Sequence, residues 1–336
     1  MRLAMVAVGA LAVAVSTIGA TPLSAQSGEE IILADPAFSL TFAAGYVASD
    51  LDLWQKHGIK VKTVQLQGIA AINSVIAGSA QFAQASASSF GRATARGQKL
   101  IAIAVTIDRP FAQVVLRKEL AQAGGFDAKA PLAKRGALLK GRTIAVDSIN
   151  SMIHAYVRLV AARAGFSPDD IRVAPMAPNS MLAAFQSKQI DGYAMSLPWP
   201  LKAVQDGEAL LIASGPDGEP GDMIPFGHNM IVAKQDTCVQ RKPLCLAIGQ
   251  SIKDATAFIK NKPDEAFALL KKRFPTLDDP LLKAAFEELR KVTPSPPLVN
   301  KASIENSETF NVDAGLLKAD EKLKSYDGLF TNEFVN

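Results

Sequence analysis

Apolar and polar positions alternate in two distinct ways along residues 30–107. Short runs rich in β-branched residues indicate strands, and the stretches between them repeat apolar residues every three or four positions, which indicates helices. Strands and helices in this alternating order predict a mainly parallel sheet covered by helices. The predicted strands are EEIILADP, IKVKTVQL, QFAQAS and KLIAIAVTI, and the predicted helices are FAAGYVASDLDLWQKHG, GIAAINSVIAG and SSFGRATARG.

The same order begins again at Gly141, with little residue identity between the two halves. We therefore predict an α/β fold of two lobes that share one architecture. The apolar run DRPFAQVVLRKEL suits a strand that crosses between the lobes, and a Pro- and Gly-rich stretch precedes a second crossing strand, HNMIVAK. These crossings assign residues 26–110 to the first part of lobe 1, 111–225 to lobe 2, and 226–336 to the second part of lobe 1 with C-terminal helices.

The chain beyond Pro243 is predicted to be largely helical. Proline lies at or near the start of each of three helices, over residues 244–260, 263–273 and 280–292, a position that helix N-termini favour. A loop, TPSPPLVN, then precedes another helix predicted near residues 314–326.

Residues 1–25 have the features of a secretory signal peptide. Arg2 precedes an apolar core from Leu3 to Val15, and small residues end the segment at Ser24 and Ala25. This apolar core is short against the roughly 20 residues that span a bilayer. No cysteine lies at the cleavage site, which argues against a lipid anchor. We expect cleavage before Gln26 and a soluble, monomeric protein in the periplasm.

The charge, the cysteines and the histidines limit the kinds of partner and cofactor that the sequence indicates. The net charge is +4, and no basic run exceeds the KKR at residues 271–273, so nucleic-acid binding is not indicated. The two cysteines, Cys238 and Cys245, lie close together, and in an oxidising compartment they favour one short-range disulfide. The three histidines have no metal-motif spacing, so neither a metal nor a cofactor is predicted.

Candidate ligand-binding residues lie in the turns that follow the predicted strands, because ligands of parallel α/β sheets bind at the carboxyl ends of the strands. The polar groups of these turns are mostly hydroxyls and amides, which favour binding over catalysis. Capping of the next helix explains each residue equally well, so both interpretations stay open. The residues are Ser39, Gln67, Ser86, Ser88, Ser148, Asn150 and Ser151.

A few larger side chains near these turns are further candidates. His154 lies three residues after Ser151, on the same helical face, and can hold an anion or be a half-buried surface residue. Trp199, in SLPWP, can close over a ligand or pack as core. Arg109 and Asp35 are charged residues near the predicted cleft, and a structural role is favoured for each.

Enzymatic motifs are missing from the sequence. HExxH, GxGxxG, GxSxG and CxxC do not occur. The segment GALLKGRT departs from a phosphate-binding loop because Arg142 replaces the lysine and the segment precedes its strand. We therefore predict a binding protein and not an enzyme.

The order and spacing of several segments resemble the nitrate/sulfonate/taurine family of ABC-transporter substrate-binding proteins. These segments are GIKVKTVQLQGIAAINSVIAGSAQFAQASASS, LLKGRTIAV, SMIH and MLAAFQSKQIDGYAMSLPWP. The resemblance covers about residues 31–330. It implies a type II periplasmic-binding-protein fold that closes on a small organic anion and delivers it to a membrane permease with its ATPase.

The same resemblance implicates residues in both lobes: Gln67, Gly68, Ser86, Ser88, Ser151, His154 and Trp199. Many relatives carry an acidic residue before the Pro-Trp pair, where this chain has Leu197, which argues against an amine-bearing ligand such as taurine. The alternatives are a binding protein for a thiamine-pyrimidine precursor or an aromatic acid, an enzyme on the same bilobal fold, and a sensory module.

Overall fold

The computed structural model describes residues 29–336, so the predicted signal peptide lies outside the described residues. The strands coincide closely with the β-branched runs of the sequence. They are β1 (Glu30–Asp35), β2 (Lys60–Gln65), β3 (Phe82–Ala85), β4 (Leu100–Ile107), β5 (Ala112–Arg117), β6 (Thr143–Val146), β7 (Arg172–Pro175), β8 (Gly192–Ser196), β9 (Ala209–Ser214) and β10 (Asn229–Lys234).

These strands form two five-stranded sheets with the same plan. The order in the first sheet is β2-β1-β3-β10-β4, and in the second it is β7-β6-β8-β5-β9. In each sheet one strand, β10 or β5, pairs antiparallel with both of its neighbours, and the other four strands share one direction. The reversed strands are the two predicted crossings. The predicted α/β fold of two lobes with one architecture is confirmed.

Helices cover the faces of both sheets. Their apolar residues pack into buried clusters against the strands, as the helical spacing predicts. They are α1 (Ala43–Asp50), α2 (Leu53–Lys56), α3 (Ala70–Ala77), α4 (Ala87–Ala95), α5 (Lys118–Ala123), α6 (Leu132–Gly136), α7 (Met152–Arg163), α8 (Pro178–Gln186), α9 (Trp199–Gln205), α10 (Gln235–Gln240), α11 (Lys242–Asn261), α12 (Pro263–Arg273), α13 (Asp279–Val292) and α14 (Lys301–Asp313).

Two helix predictions were wrong in detail. The helix expected to run unbroken to Gly58 is interrupted at Asp52, whose φ of 51° lies in the left-handed region. The last helix is α14, and residues 314–326 hold only a short 3-10 turn at Ala319–Glu321. Asn300 caps α14 by accepting a hydrogen bond from the Ala302 N–H, so the helix begins before the predicted position.

The C-terminal helices hold the two sheets together. Helix α11 packs on α1 and β4 of the first lobe, α13 packs on α9 of the second, and α14 contacts both α4 and α7. Among residues 29–336, no helix is long and apolar enough to span a bilayer. The division at residues 110/111 and 225/226 stays a prediction.

The predicted disulfide is present between Cys238 and Cys245, which join α10 to the first turn of α11. Both residues are buried beneath this corner. The Cys238→Ser/Cys245→Ser variant is expected to lose about 2–3 kcal/mol of unfolding free energy, because the cross-link restricts the unfolded chain. Urea denaturation of oxidised wild type and the variant measures the difference. Equal midpoints and slopes would contradict this stabilisation.

Candidate ligand-binding site

A cavity with about 540 Å³ of empty space, part of it open to solvent, lies between the two lobes, at the carboxyl ends of the parallel strands. The first lobe and the crossing into β10 provide Ser39, Thr41, Gly68, Gln84, Ser86, Ser89, His228 and Asn229, and the second lobe provides Asp147, Ser151 and Ser196 as polar or backbone lining.

Three predicted serines both cap a helical segment and line this cavity. The hydroxyl of Ser39 accepts a hydrogen bond from the Thr41 N–H, Ser86 accepts from Ser89, and Ser151 accepts from His154. Each serine follows a strand and lies at the start of a helical turn, where backbone N–H groups lack partners. The sequence left capping and cavity lining as alternatives, and the geometry combines them.

Gln67 and Gly68 form part of the contact between the lobes. The Gln67 amide donates a hydrogen bond to the backbone carbonyl of Asp147 in the other lobe. Gly68 has φ of 59°, and a Cβ at this position would lie 2.6 Å from the Cβ of Ser148. Only glycine therefore fits here without moving one lobe away from the other.

Several predicted residues, among them Ser88, Asn150 and Trp199, do not line the cavity. Ser88 donates to the Asn311 side chain, and Trp199 is buried against Phe38, to whose carbonyl its indole N–H donates over 2.8 Å. Asn150 donates its N–H to His154 Nδ1. These side chains are held by other parts of the fold, which spacing along the chain did not show.

His154 is not the cationic anion ligand that the sequence allowed. Burial, together with the neighbouring guanidinium charges of Arg158 and Arg92, lowers the pKa of His154 to about 4. Its Nδ1 already accepts the Asn150 N–H at 2.9 Å. The ring is therefore neutral at pH 6 to 8 and braces the turn. Arg109 also lies away from the cavity, beside Asp108.

Several lining residues were not predicted. Thr41, Gln84, Ser89, Asp147, Ser196, His228 and Asn229 line the cavity in addition to the predicted serines. Asn229 donates to Gln84 Oε1 at 2.7 Å, and Gln84 donates to the buried Asp35 at 2.8 Å. Gln84 lies inside a strand and Asn229 begins the return crossing. A search of strand-to-helix turns alone therefore missed them.

The cavity lining contains one carboxylate, Asp147, and no lysine or arginine among the described residues. Burial raises the pKa of Asp147 to about 6, and burial lowers the pKa of His228 to about 3. The hydroxyl of Thr41 is buried and has no hydrogen-bond partner within the described structure. This chemistry suits an uncharged polar group better than a bare anion.

The two lobes touch around the cavity. The Leu40 N–H donates to the Leu197 carbonyl at 3.1 Å, and the Trp199 indole donates to Phe38. Gln67 bonds to Asp147, as described above, and Arg92 donates to the carbonyl of Asn150. These bonds join one lobe to the other, so this structure represents a closed arrangement.

Two mixed α/β sheets with a cavity between them define a two-lobed protein of the periplasmic-binding type. The chain belongs to the NMT1/THI5-like family, whose model matches residues 39–266. A Brucella abortus protein, named only as a candidate binding protein, is 29% identical over 201 residues, which are 58% of this chain and 58% of that protein. The match thus spans little more than half of the curated relatives' length.

Solved structures share the fold. The alkanesulfonate-binding protein of Xanthomonas axonopodis pv. citri bound to MOPS has a TM-score of 0.69 at 18% identity, over 88% of this chain and 96% of that chain. The periplasmic nitrate-binding protein of Synechocystis PCC 6803 has a TM-score of 0.64 at 14% identity, over 87% and 83%. The predicted resemblance to ABC-transporter binding proteins is confirmed.

Proposed function

We propose that this protein is the periplasmic solute-binding component of an ABC importer. It captures a small solute between its lobes and delivers it to a membrane permease with its ATPase. The main support is the cavity between the lobes at the carboxyl ends of both sheets, beside hydrogen bonds that join one lobe to the other. The sulfonate-binding and nitrate-binding proteins of the same fold support the same assignment.

A binding role, and not an enzymatic one, is also supported by the one Ser-His contact in the described cavity. His228 Nε2 lies 3.3 Å from Ser196 Oγ, a separation that by itself fits an activated nucleophile. However, His228 Nδ1 accepts the Phe111 N–H at 3.2 Å, so the single ring proton lies on Nε2. The imidazole donates to Ser196 and cannot remove its proton.

The cavity chemistry bears on the ligand. Nitrate alone would meet the carboxylate of Asp147 and no cationic side chain in the described lining. An organic solute with an uncharged polar body fits better, because serine, threonine and amide groups can bind it. A pyrimidine-like solute is the second candidate, since the Asp147 carboxylate can accept hydrogen bonds from N–H groups.

The solute is expected to stabilise the folded protein and to close it. Mass spectrometry of small molecules released from purified protein identifies the solute, and the protein refolded without it is then titrated. At a concentration one hundred times Kd, the unfolding free energy should rise by about 2.7 kcal/mol, because only the folded form binds. Small-angle scattering should show a smaller radius of gyration with the solute. Unchanged dimensions and stability with every released molecule would contradict the proposed function.

A further inference from the structure

A second depression lies directly outside the cavity, and we name it the vestibule. It holds about 860 Å³ of empty space, part of it open to solvent. Ile69, Ile72 and Ser89 line both spaces, so the two spaces adjoin at these three residues. Arg92, Arg96 and Asn150 are among the other residues that line the vestibule. The two spaces therefore differ in charge although they adjoin.

Arg92 is a buried cation without a carboxylate partner in residues 29–336. The residue is only 5% exposed. Its Nη1 donates hydrogen bonds to the uncharged oxygens of Ser88 and Asn311, and its Nη2 donates one to the backbone carbonyl of Asn150. These bonds leave Nε–H and one N–H of Nη2 for another acceptor. Removing a guanidinium from water is costly unless an anion compensates for its charge.

Arg96 adds a second cation to the vestibule. It follows Arg92 by four residues, at the end of the same helical face, and is exposed. It makes no ion pair within the described part of the chain, whereas most other arginines there do. Two neighbouring guanidinium groups repel each other, and both gain from a shared oxyanion.

We propose that the vestibule is an oxyanion subsite, in which Arg92 and Arg96 bind a carboxylate, sulfonate or phosphate group of the solute. The uncharged body of that solute extends past Ile69, Ile72 and Ser89 into the cavity. This inference rests on the proposed solute-binding function. It reconciles an organic anion as ligand with a cavity in which Asp147 is the one charged group among the described lining residues.

The subsite is built from both lobes. Arg92 lies in α4 and Arg96 directly follows it, both in the first lobe, and Asn150, whose carbonyl accepts a bond from Arg92, follows β6 in the second. An oxyanion that orders Arg92 therefore also favours the contact between α4 and the Asn150 turn. Binding of the charged group and closure of the lobes are then coupled.

The experiment measures binding of sulfate and of butanesulfonate by calorimetry at constant ionic strength. Arg96→Gln is the test variant, and Arg172→Gln removes the same charge from an exposed position outside the vestibule. Arg96→Gln should weaken butanesulfonate binding about tenfold, as expected for one charge-assisted hydrogen bond, and Arg172→Gln should not. Arg92→Lys, which keeps the charge and loses the forked donors, should also bind more weakly while retaining the wild-type circular dichroism spectrum.

Each of these measurements has an outcome that would contradict the inference. Equal affinities of wild type and Arg96→Gln, or no saturable binding of either anion, would overturn the subsite. Butanesulfonate should bind more tightly than sulfate, and equal affinities would overturn the placement of the body in the cavity. If the released solute closes the lobes but carries no oxyanion, this inference fails and the proposed function stands. If no solute closes them, the proposed function itself fails.

Discussion

Replacing Gly68 with alanine is expected to weaken solute binding by roughly 10–100-fold, because the closed arrangement is no longer accessible. The added Cβ would lie 2.6 Å from the Cβ of Ser148 in the opposite lobe. Ordinary contacts between carbon atoms are about 3.5–4.0 Å long. The lobes must therefore separate, and the bond from Gln67 to Asp147 at the same edge is lost with the contact.

Two effects of this substitution have to be separated. Gly68 has φ of 59°, so alanine is strained there in both the open and closed forms, at a cost of about 1–2 kcal/mol in stability. The contact with Ser148 exists only in the closed form. Affinity for the solute released from wild type, measured by calorimetry, reports the second effect, and urea denaturation without solute reports the first.

Ser148→Gly provides the matched control, because it removes both atoms that a residue 68 Cβ would meet first. The double variant Gly68→Ala/Ser148→Gly should recover most of the lost affinity and none of the lost stability. Scattering with saturating solute should show an open form for Gly68→Ala and a closed form for the double variant. An undiminished affinity of Gly68→Ala would mean that closure at this edge does not contribute to binding.

The fold could be predicted from the sequence largely because its signals are local. Strands such as β4 are apolar except for one threonine, and helices such as α12 and α13 begin near a proline and end near basic residues. The break at Asp52 and the missing helix over residues 314–326 depend on single backbone angles and on which cap is used. Periodicity carries little information on either.

The candidate site was predictable only in part. Ser39, Ser86 and Ser151 were found because capping is a local property and the carboxyl ends of strands are known places for ligands. Trp199 and His154 do not line the cavity, because their hydrogen-bond partners are the Phe38 carbonyl, far away in the sequence, and the Asn150 N–H within the turn. Gln84 and Asn229 were missed since polar residues inside strands resemble ordinary strand positions.

We expect a second large effect on the pH dependence of stability, and it comes from the ionisation of Asp35. Burial raises the pKa of this carboxyl from 3.8 to about 7, although the hydrogen bond from Gln84 and the charge of Arg273 oppose the shift. Between pH 4 and 7 the folded protein holds a proton here that the unfolded chain has released. The free energy of unfolding attributable to Asp35 therefore falls as pH rises through this window, by up to about 4 kcal/mol.

Asp35→Asn should abolish this decline, because asparagine keeps an oxygen that can accept the Gln84 amide and carries no charge. The variant is expected to equal wild type near pH 4 and to exceed its stability by up to about 4 kcal/mol at pH 8. His154 and His228, whose pKa values are lowered, make stability rise with pH between about 3 and 6.5 in both proteins. Subtracting the stability of wild type from that of the variant cancels this histidine contribution.

Urea denaturation at pH 4, 5, 6, 7 and 8 measures the difference in stability, with exposed Asp320→Asn as the charge-matched control. A constant difference across the series would mean that Asp35 is ionised in the fold throughout, with its charge compensated by Arg273.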